Sequence, residues 1–524
     1  MNLRLRCVAR PLSAPALLLG LALIGTAARA DVKLSPMFGD HMVLQQGAPV
    51  PVWGTAAAGE QVTVTVGAQK ATATADELGK WQVKLQPLTA GGPLDVTVAG
   101  KNTVTLRDVL VGEVWVCSGQ SNMEWNVNLS GNPEQERAAA NYPSIRMFTV
   151  KKAIAGKPAQ TLEGSWEVCS PKTVGNFSAV GYFFGRELHK ALNVPVGLVH
   201  TSWGGTPAEA WTERSALEAD GDLKPMLDRW QGQMAQFNER LGRIPQLVEK
   251  WKGEAEQAEA QGRPVPPMIN LLPQDPRSSP HRPSGLYNAM IAPVVPYAMR
   301  GAIWYQGESN AGRAEQYRKL LPAMIKTWRT AWGQGDFPFL IVSLANFMAV
   351  APEPGDSDWA ELREAQAMTA ANDPSSGLAM AIDIGDANDI HPKNKQEVGR
   401  RLALAALAKT YKRNVPYSGP VYASMSVEGD KAVLKFKHAD NGLAAKDGEL
   451  KGFAIAGEDR KWVWAEAKVL SPDTVVVRSD KVSKPVAVRY AWANNPVCNL
   501  YNGAGLPAVP FRTDDWPGVT AGKK

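Results

Sequence analysis

At 524 residues the chain is long enough to bury more than one hydrophobic core, and at roughly 100–200 residues per domain it divides into two to four domains. Its formal net charge of +6 includes four arginines in the first thirty residues, Arg4, Arg6, Arg10 and Arg29, with no acid among them; the remainder carries +2, which argues against a nucleic-acid partner. Of the four cysteines, Cys7 belongs to that leader, while Cys117, Cys169 and Cys498 fit no zinc spacing and suffice for at most one internal disulfide with one thiol left over.

Residues 1–30 place arginines before an apolar run from Ala14 to Ile24 and end in Ala28-Arg-Ala30, the pattern of a cleaved secretory signal and too short for a spanning helix. The mature chain is expected to start at Asp31. No cysteine stands where a lipid anchor needs one and no other long apolar run follows, so a soluble protein released to the periplasm or beyond, with no membrane partner after cleavage, is expected. From 31 to 108, Val50–Gly54, Gln61–Val66, Trp81–Leu85 and Leu94–Val98 alternate apolar and polar residues between glycine-containing turns, which predicts a small β-sandwich-like domain. Such a domain packs on its neighbour or, given aromatic side chains on an exposed face, binds carbohydrate.

From 109 to 411 strands and helices alternate, which implies a mainly parallel sheet with crossover helices. The strands are Val114–Cys117, Arg146–Val150, Val196–Thr201, Gly301–Tyr305, Phe339–Leu344 and Leu378–Ile382; the helices include Ala179–Leu192, Ala314–Trp332, Trp359–Asn372 and Lys395–Lys409. An excursion at about 213–283, helical and charged and then rich in proline, is either a rim for a nearby site or a solvated helical hairpin. From 412 to 524 β patterning returns in Ala432–Lys437, Thr474–Arg478 and Val486–Trp492, predicting a second β domain with a frayed end from Pro517 to Lys524.

The chemistry centres on Glu113-Val-Trp-Val-Cys-Ser-Gly-Gln-Ser-Asn-Met-Glu-Trp125, where an apolar strand stops at small polar residues and delivers Ser121 to a sheet edge. The second glycine of a G-x-S-x-G elbow is missing. Cys117, within the strand, reads as a small buried hydrophobe. A serine nucleophile needs a base and a group that orients the base. Among the six histidines, His41 and His438 lie in β regions, His189 on an amphipathic helix, His281 in the proline-rich stretch and His200 at a strand end that suits a core role; His391, between a strand and a helix, is best placed for catalysis.

Gly119-Gln-Ser-Asn-Met123 resembles the first block of the SGNH (GDSL-like) hydrolases in the form carried by sialate O-acetylesterases and related carbohydrate acetylesterases. Three further stretches resemble later blocks in the family's order: Thr201-Ser-Trp-Gly-Gly-Thr-Pro207, Trp304-Tyr-Gln-Gly-Glu-Ser-Asn310 and Asp383-Ile-Gly-Asp-Ala-Asn-Asp-Ile-His-Pro392. The resemblance implies a three-layer α/β domain flanked by the two β domains, and an oxyanion hole built from the Ser121 N–H, the Gly205 N–H (Gly204 being the one-residue alternative) and the Gln306 side-chain amide. The family's aspartate three residues before the histidine is Asn388 here. Asp389, two before, is the first choice for the orienting acid and Glu308 the rival; a cation site or a loop held by Asx turns is the other reading of the acidic cluster.

The implied reaction is removal of acetyl groups from carbohydrates, sialic acids or plant polysaccharides, with neither metal nor cofactor. Trp125 and Trp203 either stack on a sugar ring or pack in the core, and Arg282 either pairs with a sialate carboxylate or is solvated. A general short-chain lipid or aryl ester hydrolase and a noncatalytic glycan-binding protein are the alternatives.

Overall fold

A computed structural model describes residues 31–267 and 273–524; the leader, and the signal cleavage read from it, lie outside the described residues. The molecule is organised on one long strand, β1 (Thr103–Gly119), whose last eleven residues, from Val109 on, are almost wholly buried. Its first half pairs antiparallel with Gly91–Ala99, within the β-rich amino-terminal region, and its second half enters the central sheet. The boundary drawn at residue 108 therefore falls inside a continuous strand.

The other central strands are β2 (Tyr142–Thr149), β3 (Trp166–Cys169), β4 (Val196–Ser202), β5 (Gly301–Tyr305), β6 (Phe339–Val342) and β7 (Ser376–Ala379), in the spatial order β3-β2-β4-β1-β5-β6-β7. All neighbours are parallel except β3, which runs antiparallel at the edge, so the sheet is mixed. Helices cover both faces. Helices α1 (Ala179–Leu192) and α4 (Lys395–Lys409) share a core with Trp115, Cys117, Ile303 and Leu340; α2 (Ala314–Trp332) and α3 (Asp358–Asn372) share one with Val114, Val116, Trp304 and Ile341. Alternate residues of one strand thus serve opposite layers, which is why its sequence reads as a continuous apolar run. α1, α3 and α4 start at side-chain caps, Ser178, Ser357 and Asn394.

In the amino-terminal region the alternating valines Val62, Val64 and Val66 point inward. Its aromatic residues do the same: Phe38 and Trp81 are buried and Trp53 packs on Phe38 and Tyr297, so the described residues of this region offer no aromatic platform for a sugar. The carboxy-terminal region forms three small antiparallel sheets around a core that also takes in Met380 and Ile382 from beyond β7. The Arg363 guanidinium, fully buried on α3, clamps it by donating to the carbonyls of Leu344, Ala345, Ala493 and Asn494.

The frayed end expected from Pro517 to Lys524 is corrected by the structure. Thr520 is fully buried, and the N–H groups of Val519 (2.6 Å) and Thr520 (3.2 Å) donate to the carboxylate of Glu361, itself 2% exposed on α3. A buried carboxylate needs donors, and the tail supplies them. Cys117, Cys169 and Cys498 are all free thiols, so no disulfide joins the described residues, and Cys117 is fully buried as a small hydrophobe.

Candidate active site

β1 ends at Gly119 with φ +141, and a Cβ there would lie 2.1 Å from the Tyr305 carbonyl oxygen, so only glycine fits. The Gln120 N–H donates to that same oxygen (3.0 Å), and Gln120 Oε1 accepts from the N–H groups of Gly307 (3.3 Å) and Ser309 (3.4 Å). This ties the Ser121 turn to the turn after β5. Ser121 opens a single helical turn, Ser121–Glu124, where the first N–H groups have no intrahelical partner. Ser178 Oγ, the cap of α1, donates to the Met123 carbonyl (2.6 Å) and holds that turn from the other side.

The turn after β4 approaches Ser121 directly: a Cβ on Gly204 would lie 3.3 Å from that of Ser121. The Gly204 N–H is donated to Glu124 Oε2 (2.6 Å), whereas the N–H groups of Gly205 and Ser121 have no partner among the described residues. Of the two glycines, Gly205, at φ +74, is the one with a free donor.

His391 belongs to an irregular loop between β7 and α4. Its ring stacks on Trp125 with centroids 4.4 Å apart and planes 15° apart, and its neighbour Ile390 accepts from Asn122 Nδ2 (3.1 Å). Residues one and four beyond Ser121 thus hold the histidine loop. Asp389 Oδ1 lies 3.4 Å from His391 Nδ1 and also accepts the His391 backbone N–H (2.9 Å). Burial first, and then the charge of Lys395, hold the His391 imidazole below the ordinary histidine range, against the opposing pull of Asp389. Glu308, the rival acid, has no hydrogen bond to His391. Its Oε1 accepts from Asn122 Nδ2 (2.7 Å), its Oε2 is buried without a partner, and burial raises its pKa.

Gln306, expected to offer a side-chain amide to the oxyanion, has other partners in this structure. It is fully buried, its amide donates to Asn310 Oδ1 (2.7 Å) and the Thr206 carbonyl (3.3 Å), and its Oε1 accepts from the Tyr317 hydroxyl (2.9 Å). Both amide hydrogens are taken, one by Asn310 four residues on and the other by the Thr206 carbonyl a hundred residues earlier, so the amide braces the turn after β5 against the turn after β4. His200 fills the expected core role only in part: Nε2 lies 2.6 Å from Ser202 Oγ, Nδ1 is buried without a partner, and burial pushes its pKa down to about 4, so it stays neutral.

Beside Gly205 a cleft of about 410 Å³ opens between Pro207, Ser309 and Arg313 on one side and Met226, Arg229, Trp230 and Gln233 on the other. The latter four lie on the helix Lys224–Gly242, so its first turns form a rim while Ile244–Ala260 is a mostly exposed hairpin partner; the two readings of this excursion each describe one part of it. Trp203 carries Lys152 Nζ 5.3 Å from its ring centroid, and Arg282 sits over Trp230 at 5.6 Å. Asn122, Glu124 and Lys395 were not singled out from sequence. A lysine as the first residue of a helix, opposed to the dipole, was the one available signal.

A family model for the carbohydrate esterase, sialic acid-specific acetylesterases matches residues 111–244 and 278–408, leaving out the exposed part of the excursion. The chain is 32% identical to the rat (Rattus norvegicus) sialate O-acetylesterase, covering 94% of this chain and 96% of that protein, and 30% identical to the human (Homo sapiens) one, covering 96% and 98%. A solved structure of a carbohydrate acetylesterase from Xanthomonas citri superposes with a TM-score of 0.79 at 38% identity, over 93% of this chain and all of that one. Matched by the family model over half its length and by these relatives along nearly all of it, the chain belongs to the sialic acid-specific acetylesterase family of carbohydrate esterases, enzymes that remove O-acetyl groups from sugars.

Proposed function

We propose that the chain works as a serine esterase through an acetyl-enzyme, with Ser121 as nucleophile, His391 as base and Asp389 as the acid that orients it. The observation that carries this reading is the pair of contacts, Asn122 to Ile390 and Trp125 to His391, that binds the serine turn to the histidine loop. His391 takes the Ser121 proton as Oγ attacks the acetyl carbonyl. The oxyanion is met by the N–H groups of Ser121 and Gly205, each such donor contributing about 10²–10³ in rate. Collapse expels the sugar hydroxyl, protonated by His391, and water then releases acetate by the same route. Asp389 is half-exposed at 3.4 Å, and small movement of the loop tightens that contact in the working complex.

The substrate is an acetylated sugar, either an O-acetyl sialic acid or an acetylated plant polysaccharide, bound along the cleft beside Gly205. Trp125, with His391 stacked on its ring, supports the base instead of a sugar, which leaves Trp203 and Trp230 as the aromatic surfaces near the site. The leader at residues 1–30 is read as directing secretion or periplasmic export, and the mature chain as three parts, 31–108, 109–411 and 412–524; no helix among the described residues is long and apolar enough to cross a membrane. The test is acetate release from a panel of O-acetyl sialic acids and acetylated xylan, xyloglucan and pectin fragments, alongside aryl esters of increasing acyl length. Wild-type turnover confined to short acyl chains and abolished in Ser121→Ala is the expected result; substantial turnover by that variant overturns the assignment.

A further inference from the structure

Lys395 is the first residue of α4 and is fully buried, although a helix start repels positive charge and burial disfavours any unpaired ion. Its ammonium donates to Asn122 Oδ1 (2.5 Å) and stands 5.4 Å from the ring centroid of Tyr305 and 5.9 Å from that of Trp125. The same Asn122 donates to Glu308 Oε1 and to the Ile390 carbonyl. One amide, on the residue after the nucleophile, is therefore bonded to a buried acid, a buried base and the residue before His391.

We propose that Glu308, Asn122 and Lys395 form a buried chain that keeps the His391 loop in register with the Ser121 turn, with Lys395 as a positioning residue. The inference rests on the roles assigned above to Ser121 and His391. Tyr305 and Glu308 face Lys395 from β5 and the turn after it, Asp389 faces both Lys395 and His391 from the histidine loop, and Glu124, on the nucleophile turn, is paired with Lys152. Asp389 and Glu308 draw a proton toward Lys395, but burial outweighs them and pushes its pKa down to about 7; in its charged form Lys395 then opposes protonation of His391. Any residue that only filled the space would carry no such charge.

The experiment compares full-length wild type with Lys395→Met and Asn122→Ala, measuring kcat and KM for acetate release, the pH profile of kcat/KM, and the rate at which an aryl fluorophosphonate labels Ser121. Removing the cation beside His391 raises the imidazole pKa, so in Lys395→Met the acid limb of kcat/KM moves to higher pH by about 0.5–1 unit. Loss of register lowers kcat by about 10–10²-fold and slows labelling in parallel, with KM little changed. Asn122→Ala removes the bridge without changing charge and keeps the question open to test should Lys395→Met not fold; it is expected to lose kcat while its acid limb stays near the wild-type position. An unmoved limb in folded Lys395→Met, or wild-type kcat in Asn122→Ala, overturns the proposal. If Ser121→Ala still turns over, the site reading fails and this inference with it; if Ser121→Ala is dead and the variants behave as wild type, only this inference fails.

Discussion

The two halves of the site are built in different ways. The serine turn is the end of a strand paired on both sides, with β4 and β5 in register up to Ser202 and Tyr305, and its last glycine admits no side chain. The histidine loop has no strand or helix of its own at residue 391 and is held by an amide from Asn122, an indole face from Trp125 and a carboxylate two residues away. Backbone ladders fix Ser121, the proposed nucleophile; a few side chains fix His391, the proposed base. The placement of Ser121 is therefore as stable as the sheet, while that of His391 depends on individual groups that substitution can remove one at a time.

That contrast is open to direct attack. Ser121→Ala is expected to lower acetate release by about 10⁴-fold or more with an unchanged far-ultraviolet spectrum, because it removes the reacting atom and leaves the ladder whole. Asp389→Asn should cost about 10²-fold in kcat, whereas Glu308→Gln, which still offers Asn122 an acceptor, should cost less than about 10-fold; the reverse order of the two, measured under identical conditions, would reassign the acid. Trp125→Ala leaves the imidazole without its stacking surface, and a drop of about 10-fold in kcat is expected. In the wild-type pH profile the midpoint of the acid limb of kcat/KM is expected below 6.5, since a base whose pKa is depressed stays unprotonated, and active, to lower pH. Truncation before Pro517 should leave kcat unchanged but destabilise the fold by about 1–3 kcal/mol in urea denaturation, because Glu361 loses its buried donors.

Much of this architecture was legible in the chain. Val62, Val64 and Val66, and the long apolar run into Gly119, carried period and burial on their face, and the strands ending at Ser202 and Tyr305 follow the alternation of strands and helices to within a residue, whereas the last strand, expected over Leu378–Ile382, lies at Ser376–Ala379 and leaves Met380 and Ile382 to the carboxy-terminal core. What escaped were pairings across distance. The commitment of Gln306 to Asn310 and Thr206 depends on two turns a hundred residues apart meeting, and the docking of Thr520 on Glu361 depends on a carboxylate 159 residues upstream being short of donors. Which of Gly204 and Gly205 keeps an N–H without a partner was likewise out of reach, because it depends on Glu124 accepting that of Gly204. Periodicity reports which face a residue turns to the core; it carries no information on which polar partner it will find there.

β1 has a consequence for dissecting the molecule. A strand that begins among the amino-terminal β hairpins and ends at the Ser121 turn works as a single beam with two supports, and its pairing with Gly91–Ala99 anchors the end opposite Ser121. Cutting the gene at residue 109 would not release a catalytic module from an accessory one; it would leave the beam free at one end. Grafting a different β region in its place would succeed only if the graft continued the same strand without a change of register, so the two parts are engineered as one piece.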